Sequence, residues 1–180
     1  EAFVAAGRWQ LVGGMVVQPD CNLPAPESFE RQLRFGQRYF RERFGREATV
    51  GYNVDSFGHN AYLPRALRRA GMDAYVFMRP AQEEKPLASN VFRWRSPDGF
   101  EVTAFRISGG YPTWQADITD HIRHSLIGVP EHLGHTMCFF GVGDHGGGPT
   151  RAQIEWIIEH AESFDGLRLE GRTVRRTDLT

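Results

Sequence analysis

Apolar positions along the chain alternate between two periods, one of strands and one of helices. Residues 9–17, Trp-Gln-Leu-Val-Gly-Gly-Met-Val-Val, form a Val-rich run that predicts a buried strand, with Gly13-Gly14 allowing a bulge or a close backbone approach. A loop punctuated by Pro19, Pro24 and Pro26 follows. Over 27–44 the period becomes helical: Phe29, Leu33, Gly36, Phe40 and Phe44 share one face. Glu27 and Glu30 suit the positive end of that helix, and Gly45 supplies a C-terminal cap. A second strand is predicted over 48–54 and a third over 73–78. Between them lies a helix over 62–70, with Leu63, Ala66, Leu67 and Ala70 inward and Gly71 as its stop.

Beyond residue 90 the pattern changes. Residues 92–95 and 101–107 alternate around Ser96-Pro97-Asp98-Gly99 and predict a hairpin. A helix is expected over 117–128 and a buried strand over 136–142. Thr150 and Gln153 match a capping box for a last helix, whose apolar face would be Ile154, Ile157, Ile158 and Ala161. A final strand is expected over 164–170. Strand and helix alternating through short loops is the order of an α/β fold with a largely parallel sheet and flanking helices. The expectation is a single domain segment covering 1–180, without internal repeats.

Composition narrows the class. The net charge of −1 gives no field that would favour nucleic acid, and no apolar run approaches the ~18 residues of a membrane helix. Twenty arginines against the single Lys85 mostly neighbour Glu and Asp, which reads as solvated surface rather than a polyanion site. Two cysteines form no framework and no zinc-finger spacing: Cys21 sits in a loop and Cys138 in an apolar run. Nothing points to an oxidising compartment, which favours a cytoplasmic over a secreted location. The chain has neither a starting Met nor a signal-peptide pattern, so it reads as an internal segment.

Three loops follow predicted strands and carry unusual residues: Pro19-Asp20, Asp55 to His59, and Gly143 to Thr150. The carboxyl ends of parallel strands share one rim, where sites are built. Asp55 there could bind a metal, attack carbon, or cap the following turn. His59, four residues on, fits either a ligand or a hydrogen-bonded structural histidine. Asp20 fits a turn residue as readily as a site carboxylate. The Gly146-Gly147-Gly148 run calls for something close to the backbone: a hydroxylated ligand, since Asp144 would repel phosphate, or a tight packed turn. Trp9, Tyr52, Phe57, Tyr111 and Trp114 could offer flat faces to a sugar ring or belong to the core.

Three runs, in order, resemble glycoside hydrolase family 38, the retaining α-mannosidases. They are Trp9…Gly13-Gly-Met…Pro19-Asp-Cys-Asn22; Val54-Asp55-Ser-Phe-Gly-His59 with Leu63-Pro64 and Gly71; and Gly141-Val-Gly-Asp144-His-Gly-Gly-Gly-Pro-Thr150. The likeness implies an incomplete catalytic domain, part of a seven-stranded β/α barrel, in a larger enzyme with further domains. It implies an α-mannoside glycan as substrate. It also implies a divalent cation, usually zinc, held by two His and two Asp, one of which matches Asp55. Asp55 would be both metal ligand and nucleophile of a double displacement. Asp144 would be the acid/base, with His145 a rival proton donor. Retention places such carboxyls about 5–5.5 Å apart. Asp20, Trp9, Phe57, His59, Gly146 and Gly147 become candidates for contact with the sugar. The family's His-x-Asp and His-His-Asp runs do not occur here, so the ligand set is incomplete and the segment alone is expected to be inactive. The alternatives are a metal-dependent carbohydrate deacetylase, which would need a His-x-x-x-His pair, and a carbohydrate-binding module, which would need aromatics on an open sheet face.

Overall fold

A computed structural model describes residues 1–143 and 147–161. A short helix α1 (Ala2–Ala5) opens the chain and α2 (Pro26–Phe44) is the long amphipathic one. Pro26 starts α2 at a position where its missing N–H costs nothing, and Gly45 ends it at φ 73° with its N–H on the Arg41 carbonyl. Then come β1 (Val50–Tyr52), α3 (Leu63–Arg69), β2 (Ala74–Phe77), β3 (Val91–Arg95), β4 (Glu101–Arg106), α4 (Thr119–Ser125) and α5 (Arg151–His160). The expected final strand over 164–170 lies outside the described residues.

The four strands make one sheet in the order β1-β2-β4-β3. β1, β2 and β4 run parallel; β3 joins β4 antiparallel as the predicted hairpin. β1, β2 and β4 are buried on both faces, whereas the edge strand β3 is partly exposed. Tyr75, Phe77, Val102 and Ala104 pack with Phe29, Leu33, Leu63, Ala66, Leu67 and Met72 of α2, α3 and their flanks. On the other face Val50, Val54, Ala74, Val76, Phe105 and Ile107 are covered by Val12, Tyr111, Met137 and Phe139.

Two expected strands are corrected. Residues 9–17 form no ladder strand: Gly13 and Gly14 both take positive φ, 90° and 72°, which breaks an extended run, and one bond, Gly13 N–H to the Val50 carbonyl, ties the segment to β1. The close approach expected there is real: Gly36 of α2 leaves space for the Gly14 carbonyl, which a Cβ would strike. Residues 136–142 also have no partner strand among the described residues. Phe139 O accepts from His121 Nε2–H, Gly141 N–H donates to Thr113 Oγ1 (3.0 Å), Gly141 O accepts from Thr113 N–H (2.8 Å), and an isolated bridge joins Val142 to Gly148. The inward face of α5 is corrected as well. Ile154 and Ile158 are 45% and 70% exposed, whereas Gln153 is fully buried and Trp156 and Ile157 pack on Ile118 and Ile122. Gln153 Nε2 donates to Thr113 O, Thr113 Oγ1 and Gln115 O, and this turns α5 about its axis. The Thr150–Gln153 capping box is present. Cys21, placed in a loop by the sequence, is in that loop but 1% exposed.

Gln37 holds the layers together. It is 4% exposed, donates from Nε2 to the carbonyls of Ala48 (2.7 Å) and Ala70 (3.1 Å), and accepts from Ala48 N–H (3.0 Å). Gln37→Leu would orphan those backbone groups in the core, at a cost of about 2–4 kcal/mol. Faster hydrogen exchange at the Ala48 amide is the expected readout.

Candidate functional site

The site grows from the β1–β2 register. Val50, Gly51 and Tyr52 pair with Ala74, Tyr75 and Val76, an offset of 24 residues. The pairing continues past the strands: Asn53 N–H bonds to Val76 O, and Met78 and Arg79 N–H both reach Val54 O. The same offset sets Asp55 beside Arg79, and there Arg79 Nε–H donates to Asp55 Oδ1 at 2.7 Å. The Asp55 side chain is 44% and the Arg79 side chain 36% exposed, so both face the rim rather than the core. Bonding to Asp55 raises the Arg79 pKa. The guanidinium also lies 4.9 Å from the centroid of Phe57, whose ring is 78% exposed. Arg79 went unnoticed in the sequence; a common register for the two parallel strands would have found it.

The Pro19–Asn22 loop is tied to this corner. The Pro19 carbonyl accepts from Asn53 Nδ2 (3.0 Å) and Ser56 Oγ (2.7 Å), and Asn22 Nδ2 donates to Phe57 O (3.0 Å). Gly58, at φ 131°, has the Asn22 amide where a Cβ would stand, so glycine is required at this junction. Asp20 Oδ1 accepts from the N–H groups of Asn22 (2.8 Å) and Leu23 (2.9 Å), which lowers its pKa and makes it the organiser of its own turn. Thus Asp20, Asp55, Phe57 and His59 belong to joined loops. Trp9 does not: it is 61% exposed and precedes Gly13, which pairs at the start of β1, so it lies towards the opposite end of that strand.

His59 is enclosed. Its Nε2 donates to the Arg79 carbonyl (2.7 Å), and its Nδ1 meets the Tyr75 hydroxyl (3.0 Å). Tyr75, Phe77 and Trp94 surround the ring edge-on, and burial lowers its pKa. Both nitrogens are therefore committed within the protein. One register step along the rim, Arg106 at the end of β4 is 2% exposed. It donates to Asn90 Oδ1 (2.8 Å), Lys85 O (2.7 Å), Pro80 O (3.4 Å) and Gln82 Oε1, holding the segment after Arg79.

In the third loop, Asp144, His145 and Gly146 lie outside the described residues. Gly147 is described, and the Val142 carbonyl occupies the place of its Cβ. Close packing of the chain on itself thus accounts for that glycine. Among the described residues no group of three or more His, Cys, Asp or Glu side chains could hold a metal ion, so the donors present do not fit a metal centre by themselves.

The profile of the glycosyl hydrolases family 38 N-terminal domain matches residues 1–174. The chain belongs to that family. Among curated relatives, alpha-mannosidase G of Dictyostelium discoideum is 34% identical over 155 residues, 84% of this chain and 14% of that protein. An alpha-mannosidase of Saccharomyces cerevisiae is 30% identical over 154 residues, with the same coverage. The chain thus spans about one-seventh of the length of these relatives. A crystal structure of an alpha-mannosidase from Enterococcus faecalis superposes with a TM-score of 0.66 over 89% of this chain and 19% of the other, at 20% identity, and supports the fold. Family 38 membership implies a divalent metal in general, and the described residues alone do not assemble its site. Among them, no helix is long and apolar enough to cross a membrane.

Proposed function

We propose that the full-length protein hydrolyses α-mannosides with retention, and that Asp55 is its nucleophile. The observation that carries this reading is Asp55 at the end of β1, held by Arg79 at 2.7 Å through Oδ1, within a family 38 domain. The Asp55 carboxylate attacks the anomeric carbon while the glycosidic C–O bond breaks and the leaving oxygen takes a proton from the acid. Water, losing its proton to the same residue, then displaces Asp55. Asp144 is our candidate for that acid/base, with His145 its rival. Arg79 fixes the carboxylate's direction, and its bond leaves Oδ2 out. Phe57, exposed beside this pair, offers an apolar face to the sugar. Zinc, with Asp55 as one ligand, is the cation we propose for the full-length enzyme.

The sheet is read as an arc of a seven-stranded β/α barrel. Its helix-covered face is the outside, and the face of Val50, Val54, Ala74, Val76, Phe105 and Ile107 is the inside. That face is covered, which disfavours a binding module working through aromatics on an open sheet. The deacetylase alternative lacks its His-x-x-x-His pair in this sequence.

Full-length protein with p-nitrophenyl α-mannoside is expected to release α-mannose first, as followed by proton NMR of the anomeric signal. β-Mannose as first product overturns the retaining mechanism. The 180-residue segment alone is expected to release no p-nitrophenol above background.

A further inference from the structure

We infer that His59 is a positioning residue, which fixes the main chain of Arg79 and through it the guanidinium that directs Asp55. This rests on the reading of Asp55 as nucleophile. A carbonyl oxygen only accepts, so the 2.7 Å contact with Arg79 O puts the proton on His59 Nε2. Nδ1 is then the acceptor for the Tyr75 hydroxyl at 3.0 Å. Tyr75 is 0% exposed on β2, four residues before Arg79 on the same chain. The imidazole thus spans two points of one strand end: a hydroxyl locked in the core and the peptide carrying Arg79. From that peptide the guanidinium reaches Asp55 Oδ1 at 2.7 Å. The ring has edge contacts with Tyr75, Phe77 and Trp94 at centroid distances of 5.5, 4.9 and 6.0 Å, leaving it little freedom to turn towards a ligand. The loop that bears the nucleophile therefore also bears, four residues on, the group that sets the nucleophile's partner.

The test uses the full-length enzyme. His59→Phe keeps a ring of similar size and removes both hydrogen bonds; His59→Gln keeps an N–H donor for the Arg79 carbonyl. His59→Phe is expected to lower kcat by about 10–100-fold, with KM within about twofold, because a small displacement of a catalytic group costs this much. His59→Gln should return to within about threefold of the parent kcat. Tyr75→Phe, which deletes the hydroxyl and keeps the ring, should lower kcat about threefold and serves if His59→Phe does not fold. Parent kcat in His59→Phe, or in Tyr75→Phe where it stands in, overturns the inference. So does a raised KM at unchanged kcat, which would mark His59 as a sugar contact. Asp55→Asn is measured alongside. Activity surviving there overturns the nucleophile reading and this inference with it. An inactive Asp55→Asn beside a fully active His59→Phe overturns this inference alone.

Discussion

Replacing Asp55 by Asn is expected to lower kcat of the full-length enzyme on an aryl α-mannoside by about 10⁴-fold or more. The substitution removes the carboxylate proposed as the nucleophile and little else. An Asn Oδ1 still accepts from Arg79 Nε–H, and the side chain is 44% exposed, so no buried charge is orphaned. Thermal unfolding should be unchanged within a few degrees, separating lost chemistry from lost fold. A kcat within tenfold of the parent would remove Asp55 from the reaction. The alternative, that Asp55 caps a turn as Asp20 does, predicts the opposite pattern: lower stability with activity in proportion to folded protein.

Much of this corner was legible because strand ends announce themselves. The strand expected over 48–54 forms as β1 over Val50–Tyr52 and leads to Asp55, the Pro-rich loop carries Asp20, and both meet at one rim through Pro19, Asn22, Asn53, Ser56 and Phe57. What periodicity reports, though, is burial. Residues 9–17 and 136–142 are apolar and cover the Val50–Val76–Phe105 face of the sheet through Val12, Met137 and Phe139, yet neither joins the ladder. Nothing in their hydrophobicity records that Gly13 and Gly14 take positive φ, or that His121 and Thr113 bind the backbone of the second run. Buried polar residues are the other blind spot. Gln37, Arg106 and Gln153 look like surface positions in a scan for apolar faces. Their partners are backbone groups or side chains far along the chain, visible only once the fold exists. Gln153 shifts the expected face of α5: Ile157 packs inward as expected, while Ile154 and Ile158 are exposed and Gln153 is buried on its three donated bonds.

Arg106 carries the largest expected effect on stability. Four acceptors converge on it, from Pro80, Gln82, Lys85 and Asn90, and burial lowers its pKa. Arg106→Ala leaves those acceptors without their donor and opens a void at the end of β4. About 3–5 kcal/mol should be lost, a large part of the ~5–15 kcal/mol that holds a typical domain. Lower soluble yield and a lower unfolding midpoint are the readouts. Arg106→Lys keeps the charge but lacks the planar fork that reaches Asn90, Gln82 and Lys85 at once, so it should recover about half of the loss. Full recovery by Lys would mean that charge alone holds the segment after Arg79. An Arg106→Ala protein as stable as the parent would show that the 80–90 segment closes without its arginine. The Arg79–Asp55 contact would then depend on His59 and the β1–β2 register alone.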